Sequence, residues 1–122
     1  MTVPRRRRAW VRGRRGEGLA ACWLRLKGYR LLARNFRSGA GEIDLVARRG
    51  AVLAMVEVKT RGDLASASEA LGARQRARIV RATEAFLQQR PNLARLSIRF
   101  DVILVAPGRL PRHLLDAWRP DR

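Results

Sequence analysis

Residues 41–60 read GEIDLVARRGAVLAMVEVKT, and the reading of this stretch decides the fold. Glu42 to Ala47 and Val52 to Lys59 are rich in β-branched and aliphatic residues, and Arg48-Arg49-Gly50 supplies a glycine-containing turn between them. The pattern predicts a β-hairpin. Side chains alternate faces along a strand, so Glu42 and Asp44 share one face of the first strand, and Glu57 and Lys59 one face of the second. Ile43, Leu45, Val52, Val56 and Val58 form the opposite, apolar face expected to be buried. An even-numbered loop brings the two polar sets to the same side of the sheet. A two-residue Arg49-Gly50 turn sets Glu42 opposite Glu57; a four-residue loop sets Asp44 opposite Glu57. Either register holds two carboxylates within roughly 5–8 Å of each other.

Carboxylates this close repel, and each raises the pKa of the other unless a cation lies between them. Only one histidine and one cysteine are present, which speaks against a zinc site of the usual nitrogen and sulfur ligands. Carboxylates, a backbone carbonyl and water suit Mg2+ or Mn2+. Such an ion activates water and polarises a phosphoryl oxygen, and Lys59 stands beside it to orient water or to stabilise negative charge. The plainer reading is that the acids pair with arginines on a sheet surface. Lysine is rare here: of 27 basic residues only Lys27 and Lys59 are lysines. A compact amine with a tunable pKa at position 59 suggests that an arginine would not serve there.

At 122 residues the chain makes one domain, and 47% hydrophobic content supports a packed core. The net charge of +17 and a pI near 12.0 draw such a surface to polyanions, nucleic acid first and an acidic membrane surface as the competitor. A single Cys22 gives no intrachain disulfide. No apolar run is long enough to span a membrane. The N-terminal arginines are not followed by an apolar segment, so no secretory signal is expected. A cytoplasmic protein without membrane attachment is the expectation.

Residues 1–15 carry Arg5, Arg6, Arg7, Arg8, Arg12, Arg14 and Arg15 around Trp10, a density of like charge that predicts a flexible basic arm able to follow phosphates. Residues 16–122 form the folded domain. Glu17 to Lys27 is predicted as a helix that buries Leu19, Cys22, Trp23 and Leu26 and ends at Gly28. Tyr29 to Arg37 follows as a first strand. Gly62 to Gly72 is a small, polar loop beside the hairpin's polar end. A helix over Ala73 to Arg90, closed by Pro91, buries Ile79, Val80, Thr83, Phe86 and Leu87 and presents Arg74, Arg76, Arg78 and Arg81. Leu96 to Ala106 is the last strand, with Asp101 paired to an arginine such as Arg99. Pro111 is expected to open a short helix carrying Leu114, Leu115 and Trp118. The order α-β-β-β-α-β-α gives an α/β domain with a mixed four-stranded sheet. Its helical crossover makes the last pairing parallel.

Asp44 followed by Glu57-Val58-Lys59 resembles the Asp…(Glu)-x-Lys signature of the PD-(D/E)XK nuclease superfamily. The wider set is similar to the YraN-like family of small bacterial proteins, itself similar to archaeal Holliday-junction resolvases. That set comprises Gly16-Glu17, Gly28-Tyr29, Arg34-Asn35, Gly41-Glu42-Ile43-Asp44, Glu57-Val58-Lys59-Thr60-Arg61 and Arg99-Phe100-Asp101, and the resemblance covers roughly residues 12–118. The resemblance implies a restriction-endonuclease-like core and a metal-dependent DNA endonuclease. Asp44, Glu57 and the Val58 carbonyl would hold Mg2+ (or Mn2+), Lys59 would act in catalysis, and Glu17 would reach the site from the first helix. Arg61, Arg74 and Arg78, with the arginines of the arm, would bind DNA, branched DNA included, with RNA a further candidate and a homodimer expected by analogy. Some superfamily members use a glutamine or basic residue on the helix after the motif. Gln75 is the candidate here, although no tyrosine follows it four residues on, as the RecB-type pattern requires. The alternative is a nucleic-acid-binding protein that keeps the fold without cutting; a third reading is a basic ribosome-associated or assembly protein.

Overall fold

The computed structural model describes residues 5–39, 41–60 and 72–120, with side chains from residue 16 onward. Helix α1 (Arg5–Leu26) precedes strands β1 (Arg30–Ser38), β2 (Gly41–Arg49) and β3 (Val52–Lys59). Helix α2 (Ala73–Gln89), a single 3-10 turn (Pro91–Leu93), β4 (Ser97–Leu104) and β5 (Arg112–Trp118) follow. The strands make one sheet in the order β1-β2-β3-β4-β5. Every pairing is antiparallel except β3 with β4, where the crossover through α2 makes the strands parallel as expected.

The hairpin forms in the second of the two expected registers. Its turn is Gly50–Ala51, with Arg49 paired to Val52 and Leu45 to Val56. Gly50 takes φ +58°, a left-handed conformation that costs glycine little. The expectation of a single apolar face is corrected. Leu45, Ala47, Ala54 and Val56 pack with Ala20, Ala21 and Leu24 of α1. Val46, Leu53 and Met55 pack with Ile79, Ala82 and Phe86 of α2. A sheet covered on both faces needs apolar residues at both parities, which is why these strands read as near-continuous apolar runs.

Two further expectations are corrected. Helix α1 begins at Arg5, well before Glu17, and turns a different face inward. Ala20, Ala21 and Leu24 are buried, whereas Leu19 and Leu26 are 54% and 81% exposed and Cys22 is exposed. The reason is close approach: a Cβ on Gly16 would stand 2.6 Å from Thr60 Cγ2, so the face of small residues is the one that fits against β3. The segment after Pro111 is a strand, not a helix, and the sheet has five strands.

Strand β5 is held by a buried polar group on β4. Asp101 is fully buried and accepts two hydrogen bonds from Arg99, one to each oxygen at 2.8 Å. Its Oδ2 also contacts His113 Nε2 at 2.8 Å, and its Oδ1 accepts the Asp116 N–H at 3.0 Å. The Asp116 bond sits at the bulge of β5, where Asp116 takes φ +53°. Lys27 Nζ reaches His113 Nδ1 at 2.7 Å and Arg99 bonds the Tyr29 hydroxyl, so the end of α1, β4 and β5 share one network. The expected Asp101–Arg99 pair is therefore present, with His113 added. Burial alone would raise the Asp101 pKa; the bonds from His113, Arg99 and the Asp116 amide outweigh it and hold the carboxyl below its usual range.

A depressed carboxylate stabilises the fold above its unfolded pKa, and that stabilisation is lost as pH falls through the folded value. Asp101→Ala should cost about 3 kcal/mol at neutral pH in urea denaturation. The difference from the unsubstituted protein should shrink as the carboxyl protonates in acid.

Candidate functional site

Continuing the Leu45–Val56 register by one residue sets Asp44 opposite Glu57. The Val58 N–H donates to Asp44 Oδ2 at 2.8 Å and ties the two strands at this point. Strand β2 also changes sides here: Ile43 joins the α2-side core and Leu45 the α1-side core, although strict alternation would give them one face. Asp44 thus sits where both layers can reach it. From α1 the charge of Glu17 acts on it, raising its pKa.

Glu57 is held from two sides. Gln75 Nε2 on α2 donates to its Oε1 at 2.8 Å, and Lys59 Nζ lies 3.7 Å from the same oxygen. The Glu57 side chain is 13% exposed and that of Lys59 26%. Burial, then the charge of Asp44, raise the Glu57 pKa to about 8, against the opposing effect of Lys59. Burial likewise raises Asp44 to about 6; the Val58 amide opposes this and Glu17 adds to it. Two acids lifted by burial, with Asp44 raising Glu57 further, share fewer than two charges at neutral pH without a cation.

Glu57 borders a cavity of about 330 Å³ that is also lined by Glu42, Gly72, Arg74, Gln75, Arg78 and Ile79. Arg74 and Arg78 are exposed at its rim. Glu42 is exposed and pairs with Arg37 at 3.5 Å. Among the described residues, no three His, Cys, Asp or Glu side chains are close enough to make a ready-built ligand cluster. The donors available to an ion are the Asp44 and Glu57 carboxylates, an all-oxygen set suited to a hard divalent cation.

Asp44, Glu57 and Lys59 come together as their spacing predicts, the Val58 amide joins them through Asp44, and Glu17 is close enough to act on Asp44 electrostatically. Arg74 and Arg78 line the adjoining cavity. Arg61 and the side chains of Arg5, Arg6, Arg7, Arg8, Arg12, Arg14 and Arg15 lie outside the described residues. The residue that sequence reasoning underrated is Gln75. A neutral amide in the run Arg74-Gln75-Arg76-Ala77-Arg78 was the available signal.

Residues 16–105 match the "Uncharacterised protein family UPF0102". The chain belongs to that family. A UPF0102 protein of Paramagnetospirillum magneticum is 60% identical over 114 residues, covering 90% of this chain and 88% of that protein. Relatives from Parvibaculum lavamentivorans and Maricaulis maris are 55% and 51% identical, covering 92% and 94% of this chain and 84% and 91% of their own lengths. The matched span of this UPF0102 chain contains Glu17, Asp44, Glu57, Lys59 and Gln75.

A raised carboxyl pKa stabilises the metal-free fold below its unfolded value, and that stabilisation is lost as pH rises through the folded pKa. Metal-free protein should therefore lose stability between about pH 4.5 and pH 8 on account of Glu57. Glu57→Gln, which stays neutral, should melt about 4 °C higher than the unsubstituted chain at pH 8.5 in chelator. The two should converge near pH 5 in thermal melts.

Proposed function

We propose that this UPF0102 chain is a metal-dependent endodeoxyribonuclease with a PD-(D/E)XK-type core, similar to Holliday-junction resolvases. The observation that carries the reading is the Asp44–Glu57 pair: two half-buried acids side by side, with Lys59 Nζ 3.7 Å from Glu57 and a cavity rimmed by Arg74 and Arg78 alongside. A carboxylate pair with raised pKa values in a chain of net charge +17 is costly as ionised and useful if a divalent ion joins it. Asp44, Glu57 and the Val58 carbonyl would hold Mg2+ or Mn2+, and Glu17 would add negative charge from α1. When bound, the ion would lower the pKa of a water ligand and polarise the scissile phosphoryl oxygen.

The protein's own groups do the rest. The Val58 amide fixes Asp44. Lys59 carries a compact positive charge at the carboxylate edge, where it would orient the attacking water or offset charge on the phosphate. Arg74 and Arg78, one helical turn apart, would grip phosphates at the cavity rim, and the arginines in the first half of α1 and Arg61 would add contacts that carry no sequence information. Cutting a branched duplex on both strands calls for two copies, so a homodimer accompanies this reading, in the cytoplasm, on DNA and with RNA as a competing ligand. The second reading is a nucleic-acid-binding protein that does not cut. It is favoured by the absence of a ready-built ligand cluster among the described residues.

Incubation with Mg2+ or Mn2+ and single-stranded, duplex, flapped and four-way-branched DNA should give metal-dependent cleavage. Asp44→Ala and Glu57→Ala should each lower the rate about 100-fold or more, and Lys59→Arg should lower it while leaving binding intact. DNA bound but never cut with either metal would establish the second reading. DNA affinity should also fall steeply and linearly on a log–log plot against salt concentration. Removal of residues 1–8 should flatten that slope without changing the cleavage rate at saturating DNA.

A further inference from the structure

Across the end of β3 from the acid pair lies a groove that the chemistry above leaves unused. Side chains alternate at this end of the strand. Glu57 and Lys59 turn toward α2, where Gln75 meets Glu57. Val58 and Thr60 turn toward α1, where a Cβ on Gly16 would stand 2.6 Å from Thr60 Cγ2 and 3.8 Å from Val58 Cγ1. On this second side opens a groove of about 640 Å³, lined by Leu19 of α1, by Thr60 and Val105, and by Pro107, Arg109 and Leu110 of the β4–β5 connection. Gly16 also lines it. Gly16 and Thr60 are the chain neighbours of Glu17 and Lys59, so the groove and the acid pair flank the same strand end.

The groove is apolar in a chain whose surface is otherwise basic. Leu19 is 54% and Leu110 73% exposed, two of four large hydrophobic side chains that stand in water among the described residues. No carboxylate lines the groove, and Arg109 is exposed beside it. An exposed apolar patch with a charged neighbour marks a contact surface. Charge and backbone select what it takes. The Val105 N–H already donates to the Lys59 carbonyl at 2.8 Å, and the Arg109 N–H to the Ala106 carbonyl at 3.3 Å. These groups have nothing left to offer a peptide added as a further strand. A second copy would bring its own net charge of +17 against Arg109. A polynucleotide brings the opposite charge together with flat bases whose faces are apolar. Bases taken out of a stack are held between apolar or aromatic side chains, while cations follow the phosphates.

We propose that this groove is a subsite for an unpaired base of the nucleic acid bound at the acid pair, with Leu19 and Leu110 against the base and Arg109 on an adjoining phosphate. The inference rests on the function proposed above and narrows its substrate to nucleic acid with unpaired nucleotides beside the cut. A paired base is held in its stack, and lifting it out costs a few kcal/mol; a mismatched or single-stranded base enters at much lower cost. Preference for such structures then arises from apolar contact and not from hydrogen bonds to base edges, so it carries little sequence information.

The test measures binding and needs no cleavage. The full chain, in chelator to keep cutting out of the measurement, is titrated by fluorescence anisotropy with a labelled duplex carrying adjacent T·T mismatches. The fully paired duplex of equal length and charge is the comparison. The mismatched duplex should bind about 10-fold more tightly. Leu19→Ser and Leu110→Ser should each remove about 5-fold of that preference. Affinity for the paired duplex and its salt slope should not change, because no phosphate contact is lost. Arg109→Ala should instead reduce the salt slope by about one. Leu110→Ser, on an exposed loop, covers the case in which Leu19→Ser fails to fold by circular dichroism. A 4-thiothymidine at the mismatch should crosslink on illumination to a peptide containing residues 105–110. Equal binding of the two duplexes, or folded leucine variants that keep the full preference, would overturn the subsite and leave metal-dependent cleavage at Asp44 and Glu57 standing. Leucine variants that keep the preference but sediment as monomers where the unsubstituted chain is a dimer would give the groove to a second copy. If the unsubstituted chain binds no DNA, the proposed function fails and this inference falls with it.

Discussion

Two acids that water would keep apart are held side by side by strand register, and the rest of the site depends on that enforced proximity. The hairpin pairs Leu45 with Val56, so Asp44 and Glu57 must meet, and burial prevents water from screening them. The cost appears as pKa values of about 6 and about 8. Each neighbouring group then has a role set by this cost. The Val58 amide and Lys59 lower it, Glu17 raises it at Asp44, and Gln75 offers a bond that leaves the charge unchanged. A fold under no functional demand could remove the strain with one glutamine or asparagine. Keeping both acids is reasonable when a cation is to occupy the place between them.

The contrast with Asp101 sharpens this point. It is also buried, and it lies on β4 opposite Val56, one residue away from Glu57 in the sheet. There the chain supplies Arg99, His113 and a backbone amide, and the carboxyl is held ionised. The same chain thus solves one buried acid completely and leaves a pair unsolved on the neighbouring strands. With arginine so abundant, a shortage of cations does not explain the difference. Asp101 fastens β5 and the end of α1 to the sheet. Asp44 ties β2 to β3 and Glu57 meets α2 and Lys59, yet neither carboxyl has a full set of cationic partners, and their unbalanced charge is what remains available for chemistry.

Much of this was legible in the sequence. The hairpin, the helix from Ala73, the parallel crossover and the meeting of Asp44, Glu57 and Lys59 all follow from alternation, spacing and breakers. The errors have physical reasons. Periodicity in α1 marks Leu19, Cys22, Trp23 and Leu26 as one stripe, but it is blind to how closely a helix must approach a sheet. The face of Gly16, Ala20, Ala21 and Leu24 is the buried one, and at Gly16 Thr60 stands too close for a side chain. After Pro111, Leu114, Leu115 and Trp118 fit a helical spacing as well as an irregular strand. What selects the strand is distant in sequence: Trp118 stacks on Phe100 with ring centroids 4.3 Å apart, and Asp116 bulges to serve Asp101. The hairpin register stayed open between a two-residue Arg49-Gly50 turn and a four-residue loop because the two differ by two residues and leave every side chain on the same face. The register of the four-residue loop forms, closed one pair further to a Gly50-Ala51 turn.

Gln75 was hard to read for a related reason: its partner lies 18 residues earlier, on β3, and no local pattern reports such a contact. Composition came closer. In a helix whose exposed positions are repeatedly arginine, a side chain that is polar but uncharged marks a place where charge would do harm. The same reasoning applies to Lys59 in a chain that otherwise prefers arginine. Both exceptions fall on residues that touch Glu57, one at 2.8 Å and one at 3.7 Å. Other departures, Lys27 against His113 and Gln88 and Gln89 at the end of α2, lie away from Glu57, so composition narrows the search and only the contacts single out this carboxylate.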